Sequence, residues 1–192
     1  AVPLRTLRRA LGQASRPVFL VNDSARVLAR DLPDVVPMLW EEVGCPPVLV
    51  ATGTHTGSVA QHRDRLGGIP LDLHDADDAD AHVAINDSHP ARIDRRVADA
   101  DLVVAFGSVE PHYFGGWTGA HKTATVGVLD RESITRNHAH AVKAEARPCA
   151  LEGNPVFDDL AQILTALEGD RRVLAVNHVI DASGAPLGLG VG

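Results

Sequence analysis

An apolar run at residues 102–107 (LVVAFG) leads directly into a stretch, 109–140, that is rich in glycine and histidine. The stretch carries four of the ten histidines and four glycines, with Lys122 between them. A glycine-rich turn that leaves a buried strand is where an α/β protein usually holds a ligand, because glycine lets the backbone approach that ligand closely. The feature therefore favours an α/β fold with a ligand site at the end of this strand.

Strand and helix patterns alternate along the chain. Short apolar or alternating runs predict strands at residues 16–22, 46–52, 69–74, 83–86, 102–107 and 173–180. Apolar residues at helical spacing, together with capping residues, predict helices at residues 32–43, 58–66, 130–142 and 154–169. This alternation predicts a single α/β domain over residues 1–192, with a Rossmann-like, mostly parallel sheet and helices on both faces. The glycine-rich tail after Ile180 is expected to be a linker or a cut end.

Composition excludes several classes of protein. The net charge of −7 and the pI of about 5.7 argue against a nucleic-acid surface, which needs a basic patch. No apolar run approaches the roughly 20 residues that span a bilayer, and the start of the chain has no signal-peptide pattern. Cys45 and Cys149 lack zinc-finger spacing, so we expect two ordinary thiols in the cytoplasm.

Three polar loops follow predicted strands, at residues 23–26, 53–57 and 110–122. In a parallel sheet such loops gather at one edge, where Arg26, His55, His112 and Lys122 could converge. Two histidines can serve as acid and base at neutral pH, and an arginine can hold a carboxylate. Each residue alone has an ordinary explanation as a surface, turn or capping residue. Only their combination indicates a site.

His138 is predicted to lie on a helix that Asp130 caps, on the same face as Ile134 and Val142. A histidine among apolar helix positions is usually a core residue, so the pattern alone leaves a ligand role open. His140 lies about 200° round the helix from His138, and the two cannot bind one metal together. The other histidines, His62, His74, His82, His89, His121 and His178, are interpreted as structural or surface residues.

Several separated segments, in order and with matching spacing, resemble the N-terminal domain of the nickel-dependent lactate racemase family. They are ATGTH (51–55), VEPHYFGGWTGAHK (109–122), NH (137–138) and GNP (153–155). The resemblance runs from about residue 16 to the end of the chain. It implies a racemase or epimerase of a small 2-hydroxy acid that transfers hydride to a nickel-pincer nucleotide, pyridinium-3,5-bisthiocarboxylic acid mononucleotide.

The resemblance also implies residue roles: His55 and His112 as catalytic acid and base, Arg26 and Asp23 in substrate binding, His138 as the nickel ligand, and Lys122 as the residue that can join the cofactor covalently. Separately, backbone chemistry suggests that Thr118 and Gly119 form a phosphate cradle. A base and a metal ligand both need neutral imidazole, so activity is expected to fall below about pH 6.5.

The chain departs from the family pattern in three places. The family's C-terminal domain, which closes over the site, is absent from this chain, so a further domain or a partner chain is expected. His121 directly precedes Lys122, and residues 123–127 replace a proline-containing segment, so covalent attachment is less secure than nickel ligation. Two other functions stay open: a non-catalytic binding domain that works with a partner, and a zinc hydrolase using His55, His112 and His138. Zinc would need three protein ligands, whereas the pincer cofactor needs only His138.

Overall fold

The structure is a computed structural model that describes residues 2–25, 32–169 and 171–192. Within these residues the strands are β1 (Pro17–Asn22), β2 (Val48–Ala51), β3 (Asp72–Leu73), β4 (His82–Asn86), β5 (His89–Asp94), β6 (Leu102–Val109), β7 (Pro111–His112), β8 (Gly116–Trp117), β9 (Arg172–Ile180) and β10 (Pro186–Val191). The helices are α1 (Val2–Leu11), α2 (Leu32–Glu42), α3 (Val59–Arg65), α4 (Arg95–Ala98), α5 (Ala120–Thr123), α6 (Arg131–His138) and α7 (Pro155–Leu167), with short 3-10 helices at Ala79–Ala81 and Ala139–Val142.

The main sheet has the strand order β10-β9-β6-β1-β2-β3. Five of its six strands, β1, β2, β3, β6 and β9, run parallel, and β10 pairs antiparallel with β9. The chain winds outward from β1 to β3 and then returns to the other side of β1 with β6. The strand order therefore reverses between β1 and β6, and ligands in open α/β sheets bind outside the carboxyl ends of the strands at such a point.

The sheet is buried on both faces, which explains its nearly continuous apolar strands. In β1, Val18 and Leu20 pack into one core cluster, whereas Phe19 and Val21 pack into the other. Residues of α1 and α2 cover the second cluster, and residues of α4 to α7 and of the β4–β5 hairpin cover the first. The predicted α/β class, with helices on both faces of a mostly parallel sheet, is confirmed. None of the helices seen in the described part of the chain is long and apolar enough to cross a membrane.

The prediction of a linker after Ile180 is wrong. Residues 186–191 form β10, which pairs with β9 and alternates leucine or valine with glycine. Asp181 closes the connecting turn, because its Oδ1 accepts hydrogen bonds from the backbone N–H groups of Ser183 (2.8 Å) and Ala185 (3.0 Å). The high glycine content concealed the period-two pattern of a strand. The sequence also did not indicate β5, whose polar residues reflect its place in a small hairpin away from the main sheet.

The helix predicted over residues 130–142 is shorter than expected. Asp130 does cap it, since its Oδ1 accepts from Ser133 N at 2.9 Å. However, α6 ends at His138 and continues as a 3-10 helix, so Val142 does not share an apolar face with His138. Val142 is instead 90% exposed. The predicted cap of α7 is confirmed, with Asn154 at the N-cap and Pro155 following it.

Candidate active site

A cavity of about 170 Å³ lies at the carboxyl ends of β1, β2 and β6, beside the point where the strand order reverses. Seven of the eight residues predicted to form a site line this cavity: Asp23, His55, His112, Thr118, Gly119, Lys122 and His138. The eighth, Arg26, falls outside the described residues. The convergence that the sequence indicated for His55, His112 and Lys122 is therefore observed in the fold.

His55 lies in the loop after β2 and is paired with a carboxylate. Its Nδ1 is 2.6 Å from Asp23 Oδ2, and Asp23 itself is buried at 6% exposure. Because a carboxylate accepts hydrogen bonds, this contact fixes the proton of neutral His55 on Nδ1 and leaves the lone pair on Nε2. An imidazole held in this way by a carboxylate is arranged as a general base.

His112 is held in the opposite tautomer. The backbone N–H of Gly115 donates to His112 Nδ1 at 3.0 Å, so neutral His112 carries its proton on Nε2. The ring is buried and stacks on Tyr113, with 4.8 Å between the ring centroids. In its neutral form His112 therefore presents a hydrogen-bond donor, whereas His55 presents an acceptor.

Phe114, which the sequence analysis did not single out, separates the polar groups of the site. Its ring meets the rings of His112 and His138 edge-on, with centroid distances of 4.6 and 5.0 Å. Lys122 Nζ lies 5.7 Å from the centroid of the same ring. The sequence feature that could have pointed to Phe114 is its place between His112 and a glycine pair, in a chain that is only 4% aromatic.

His138, the last residue of α6, is half-buried at the cavity. Its Nδ1 lies 2.8 Å from the backbone oxygen of Ile134, so Nδ1 carries the proton and Nε2 keeps its lone pair. Burial lowers the pKa of His138, and the charges of Lys122 and His55 lower it further, against the opposing effect of the Ile134 hydrogen bond. A neutral imidazole whose N–H is held by a carbonyl is the form that binds a metal ion.

Two asparagines hold His138 and Phe114 against α7. Asn137 Nδ2 donates to Val156 O at 3.1 Å and to Asp159 Oδ2 at 2.8 Å, which fixes the end of α6. Asn154 caps α7 and donates from Nδ2 to Phe114 O at 2.9 Å. The sequence segments NH and GNP thus hold the site in shape through these amides.

Lys122 reaches the cavity because α5 lies directly against β6. A Cβ on Gly107 would be 2.4 Å from Ala120 N, so only glycine permits this approach. The loop before α5 is tied together by Thr118, whose hydroxyl donates to Ser108 O (2.7 Å) and accepts from Glu110 N (2.8 Å). The Thr118 hydroxyl is therefore already engaged within the loop, although both Thr118 and Gly119 line the cavity.

His121 directly precedes Lys122 and is one of the places where the chain departs from the family pattern. It is not among the residues that line the cavity. Its ring packs edge-on against Phe157 of α7, with 5.6 Å between the centroids. Burial lowers the pKa of His121 to about 4, and the charge of Lys122 contributes in the same direction. His121 therefore belongs to the packing between α5 and α7, as the interpretation of a structural residue predicted.

Among the described residues, no group of three His, Cys, Asp or Glu side chains is placed to hold a metal ion. A catalytic zinc site takes three protein ligands, so the residues present here give no support to the zinc hydrolase alternative. Cys45 and Cys149 are free and exposed, as expected from their spacing.

Comparison with known proteins agrees with the resemblance found in the sequence. Lactate racemases are similar to this chain: the protein from Thermoanaerobacterium thermosaccharolyticum is 28% identical over 183 residues, covering 86% of this chain and 42% of the relative. The lactate racemase of Lactiplantibacillus plantarum is 26% identical over 147 residues, covering 70% of this chain and 34% of the relative. The chain thus spans less than half the length of these curated relatives.

Solved structures show the same relationship. The lactate racemase apoprotein from T. thermosaccharolyticum superposes with a TM-score of 0.84 at 25% identity, over 97% of this chain and 48% of that chain. A Thermotoga maritima protein shares the fold, with a TM-score of 0.76 at 16% identity. The sequence model described as lactate racemase N-terminal domain matches residues 2–148. The chain therefore belongs to the lactate racemase N-terminal domain family.

Proposed function

We propose that this chain carries the cofactor site of a nickel-dependent racemase or epimerase that acts on a small 2-hydroxy acid. The observation that carries the proposal is the hydrogen bond from His138 Nδ1 to the backbone oxygen of Ile134, which leaves Nε2 as the one nitrogen of this ring able to bind a metal. The same cavity contains Lys122 and the two other histidines. One protein ligand suits a metal whose remaining ligands come with a cofactor. Family membership and the lactate racemase relatives support the same activity.

The residues present fit the nickel-pincer nucleotide. His138 would ligate nickel through Nε2. The Lys122 amine would bind the cofactor, either by electrostatic attraction or through a covalent bond. When bound, the cofactor supplies a nickel-supported hydride acceptor. The edge of the Phe114 ring between His112 and His138 keeps these two imidazoles apart, so that one can serve the metal and the other the substrate.

The two remaining histidines handle the proton of the substrate hydroxyl. His55 takes that proton at Nε2, and Asp23 stabilises the imidazolium that results. His112 donates a hydrogen bond from its Nε2–H to the same substrate oxygen. To act as the base for the other enantiomer, His112 must move its proton to Nδ1 and release the N–H of Gly115.

We further propose that a second domain or a partner chain covers the cavity. The supporting observations are the greater length of the relatives and Tyr113, which lines the cavity with its aromatic side chain 74% exposed. The covering part would complete the substrate site with Arg26, which the family resemblance assigns to substrate binding. The cytoplasm remains the expected location, and the free thiols Cys45 and Cys149 are compatible with its reducing conditions.

The test is metal analysis and intact-mass spectrometry of the full-length protein, co-produced with the enzymes that make the pincer cofactor. We expect stoichiometric nickel and a cofactor-sized mass in the wild type, and the loss of both in His138→Ala. His140→Ala, two positions further along the chain, is the matched control and should load like the wild type. Retention of cofactor in Lys122→Ala would mean that it is held without a covalent bond. A wild type without nickel, or a His138→Ala variant that loads normally, would refute the proposal.

A further inference from the structure

The side-chain amide of Asn22 has no role in the site described so far. Asn22 lines the cavity, yet it is only 8% exposed, and neither its Oδ1 nor its Nδ2 has a hydrogen-bond partner among the described residues. Leaving a buried donor and acceptor unpaired is destabilising, and nearly all such groups in native proteins are paired. The amide therefore needs a partner that the described part of the chain does not supply.

The place of Asn22 in the sheet shows where that partner would lie. Asn22 is the last residue of β1, and strand alternation puts it on the same face as Val18 and Leu20, the face that α5 covers. Its neighbours on the adjacent strands are Ala51, its registered partner on β2, and Gly107, the residue after the partner of Val21 on β6. Neither has a polar side chain, so these two neighbours offer the amide no side-chain partner, and Asn22 borders the cavity.

Asn22 also lies at the point where the strand order reverses, between β1 and β6. This is the part of an open α/β sheet where a ligand is expected to enter most deeply. The next residue, Asp23, holds His55, so Asn22 directly precedes the residue that positions the proposed base. The amide thus occupies the floor of the site.

The chemistry of the amide selects the kind of group it would bind. Oδ1 only accepts hydrogen bonds and Nδ2 only donates them, so both are satisfied by a group that donates and accepts at neighbouring oxygens. A lone carboxylate or phosphate can satisfy Nδ2 but not Oδ1. A hydroxyl beside a second oxygen satisfies both.

We propose that Asn22 is a ligand-binding residue that receives a hydroxyl with a neighbouring oxygen at the floor of the cavity. Two sources offer this chemistry under the proposed function, on which this inference rests: the ribose diol of the cofactor, and the hydroxyl and carboxylate of the 2-hydroxy acid. Cofactor content and substrate affinity distinguish the two sources.

The experiment compares Asn22→Leu with Asn177→Leu in the full-length protein. Leucine matches asparagine in size but makes no hydrogen bond. Asn177 is the control because its amide is paired, with Oδ1 accepting from Ala120 N at 2.8 Å. In ligand-free protein we expect Asn22→Leu to melt at or above the wild-type temperature, and Asn177→Leu to melt below it.

Loaded protein then identifies the source of the hydroxyl. At least a tenfold loss of cofactor affinity in Asn22→Leu would assign the amide to the ribose. Unchanged loading with at least a tenfold rise in KM for lactate would assign it to the substrate. Wild-type loading together with wild-type KM would overturn the inference, as would a ligand-free Asn22→Leu that melts as low as Asn177→Leu.

Failure of the proposed function gives a different result. In that case the wild type itself takes up no nickel or cofactor. The inference is then tested by the melting temperatures of the ligand-free wild type and the two variants. An Asn22→Leu variant as destabilised as Asn177→Leu would still overturn the inference. An undiminished melting temperature would support an amide kept for a hydroxyl-bearing ligand of another class.

Discussion

A buried histidine pair, His74 and His82, lies beside the loop that carries His55 and should make the fold sensitive to acid. The two Nε2 atoms are 3.0 Å apart, and the residues are 3% and 1% exposed. His82 Nδ1 bonds to Asp78 O at 2.8 Å, so His82 Nε2 accepts the hydrogen bond that His74 Nε2–H donates. Thr52, at the base of the His55 loop, donates from Oγ1 to the backbone oxygen of His74 at 2.6 Å. A proton added to His74 goes to its Nδ1 and places a positive charge in this buried site.

The size of the effect follows from the pKa of His74. Burial, together with the neighbouring His82 and Arg96, lowers this pKa from 6.5 to about 4 against the attraction of Asp94 and Asp75. The unfolded chain therefore binds this proton below about pH 6.5, whereas the folded protein binds it only below about pH 4. A tenfold change in proton affinity is worth about 1.4 kcal/mol, so the free energy of unfolding should fall by about 3 kcal/mol between these two pH values.

Urea unfolding of the ligand-free protein between pH 7 and pH 4 tests this expectation. His74→Gln can still donate to His82 but cannot titrate, so its free energy of unfolding should fall by about 3 kcal/mol less than that of the wild type over this range. His140→Gln, outside the pair, should follow the wild type. The low pKa of His121 contributes alike in every variant and cancels from the comparison. Parallel pH curves for His74→Gln and the wild type would show that this reasoning is wrong.

Three further predictions concern the site. Asp23→Asn should lower kcat by about 10²-fold or more with cofactor content unchanged, because a positioned general base contributes about 10²–10⁴-fold; steady-state assays of loaded protein measure this. Phe114→Ala should cost about 3–5 kcal/mol in urea unfolding, as removal of a buried ring does, whereas Phe114→Leu should cost less. Gly116→Ala should lower the melting temperature, since its Cβ would lie 2.0 Å from Ala150 O; Gly153→Ala, with a similar positive φ (72° against 75°) but nothing within 4 Å, is the control.

Most of the main sheet could be predicted because its strands are buried on both faces. In a chain of this length, the apolar runs that become β1, β2, β6 and β9 are stable only when they are buried. β10 was not predicted because two of its six residues are glycine and its leucines are exposed, Leu187 at 71%. The end of α6 was not predicted because the helical spacing of apolar residues continues to Val142, whereas the backbone changes from an α-helix to a 3-10 helix after His138.

The candidate site was predictable as a set of loops and not as a set of contacts. Parallel topology brings the ends of β1, β2 and β6 together, which is enough to gather His55, His112 and Lys122. The position of Phe114 depends on the amide of Asn154, the cap of α7, which lies 40 residues later in the chain. No local pattern carries such long-range contacts, so the groups that hold the site in shape were visible only in the fold.

The three histidines of the cavity share one arrangement, which explains how similar residues can do different chemistry. Each imidazole is anchored through Nδ1 and presents Nε2, but the anchors differ: a carboxylate for His55, a backbone N–H for His112 and a backbone carbonyl for His138. An accepting anchor puts the proton on Nδ1 and leaves Nε2 as a base or a metal ligand. A donating anchor does the reverse and makes Nε2 a hydrogen-bond donor. The division of labour in the proposed site therefore follows from the group that anchors each Nδ1, before any cofactor or substrate binds.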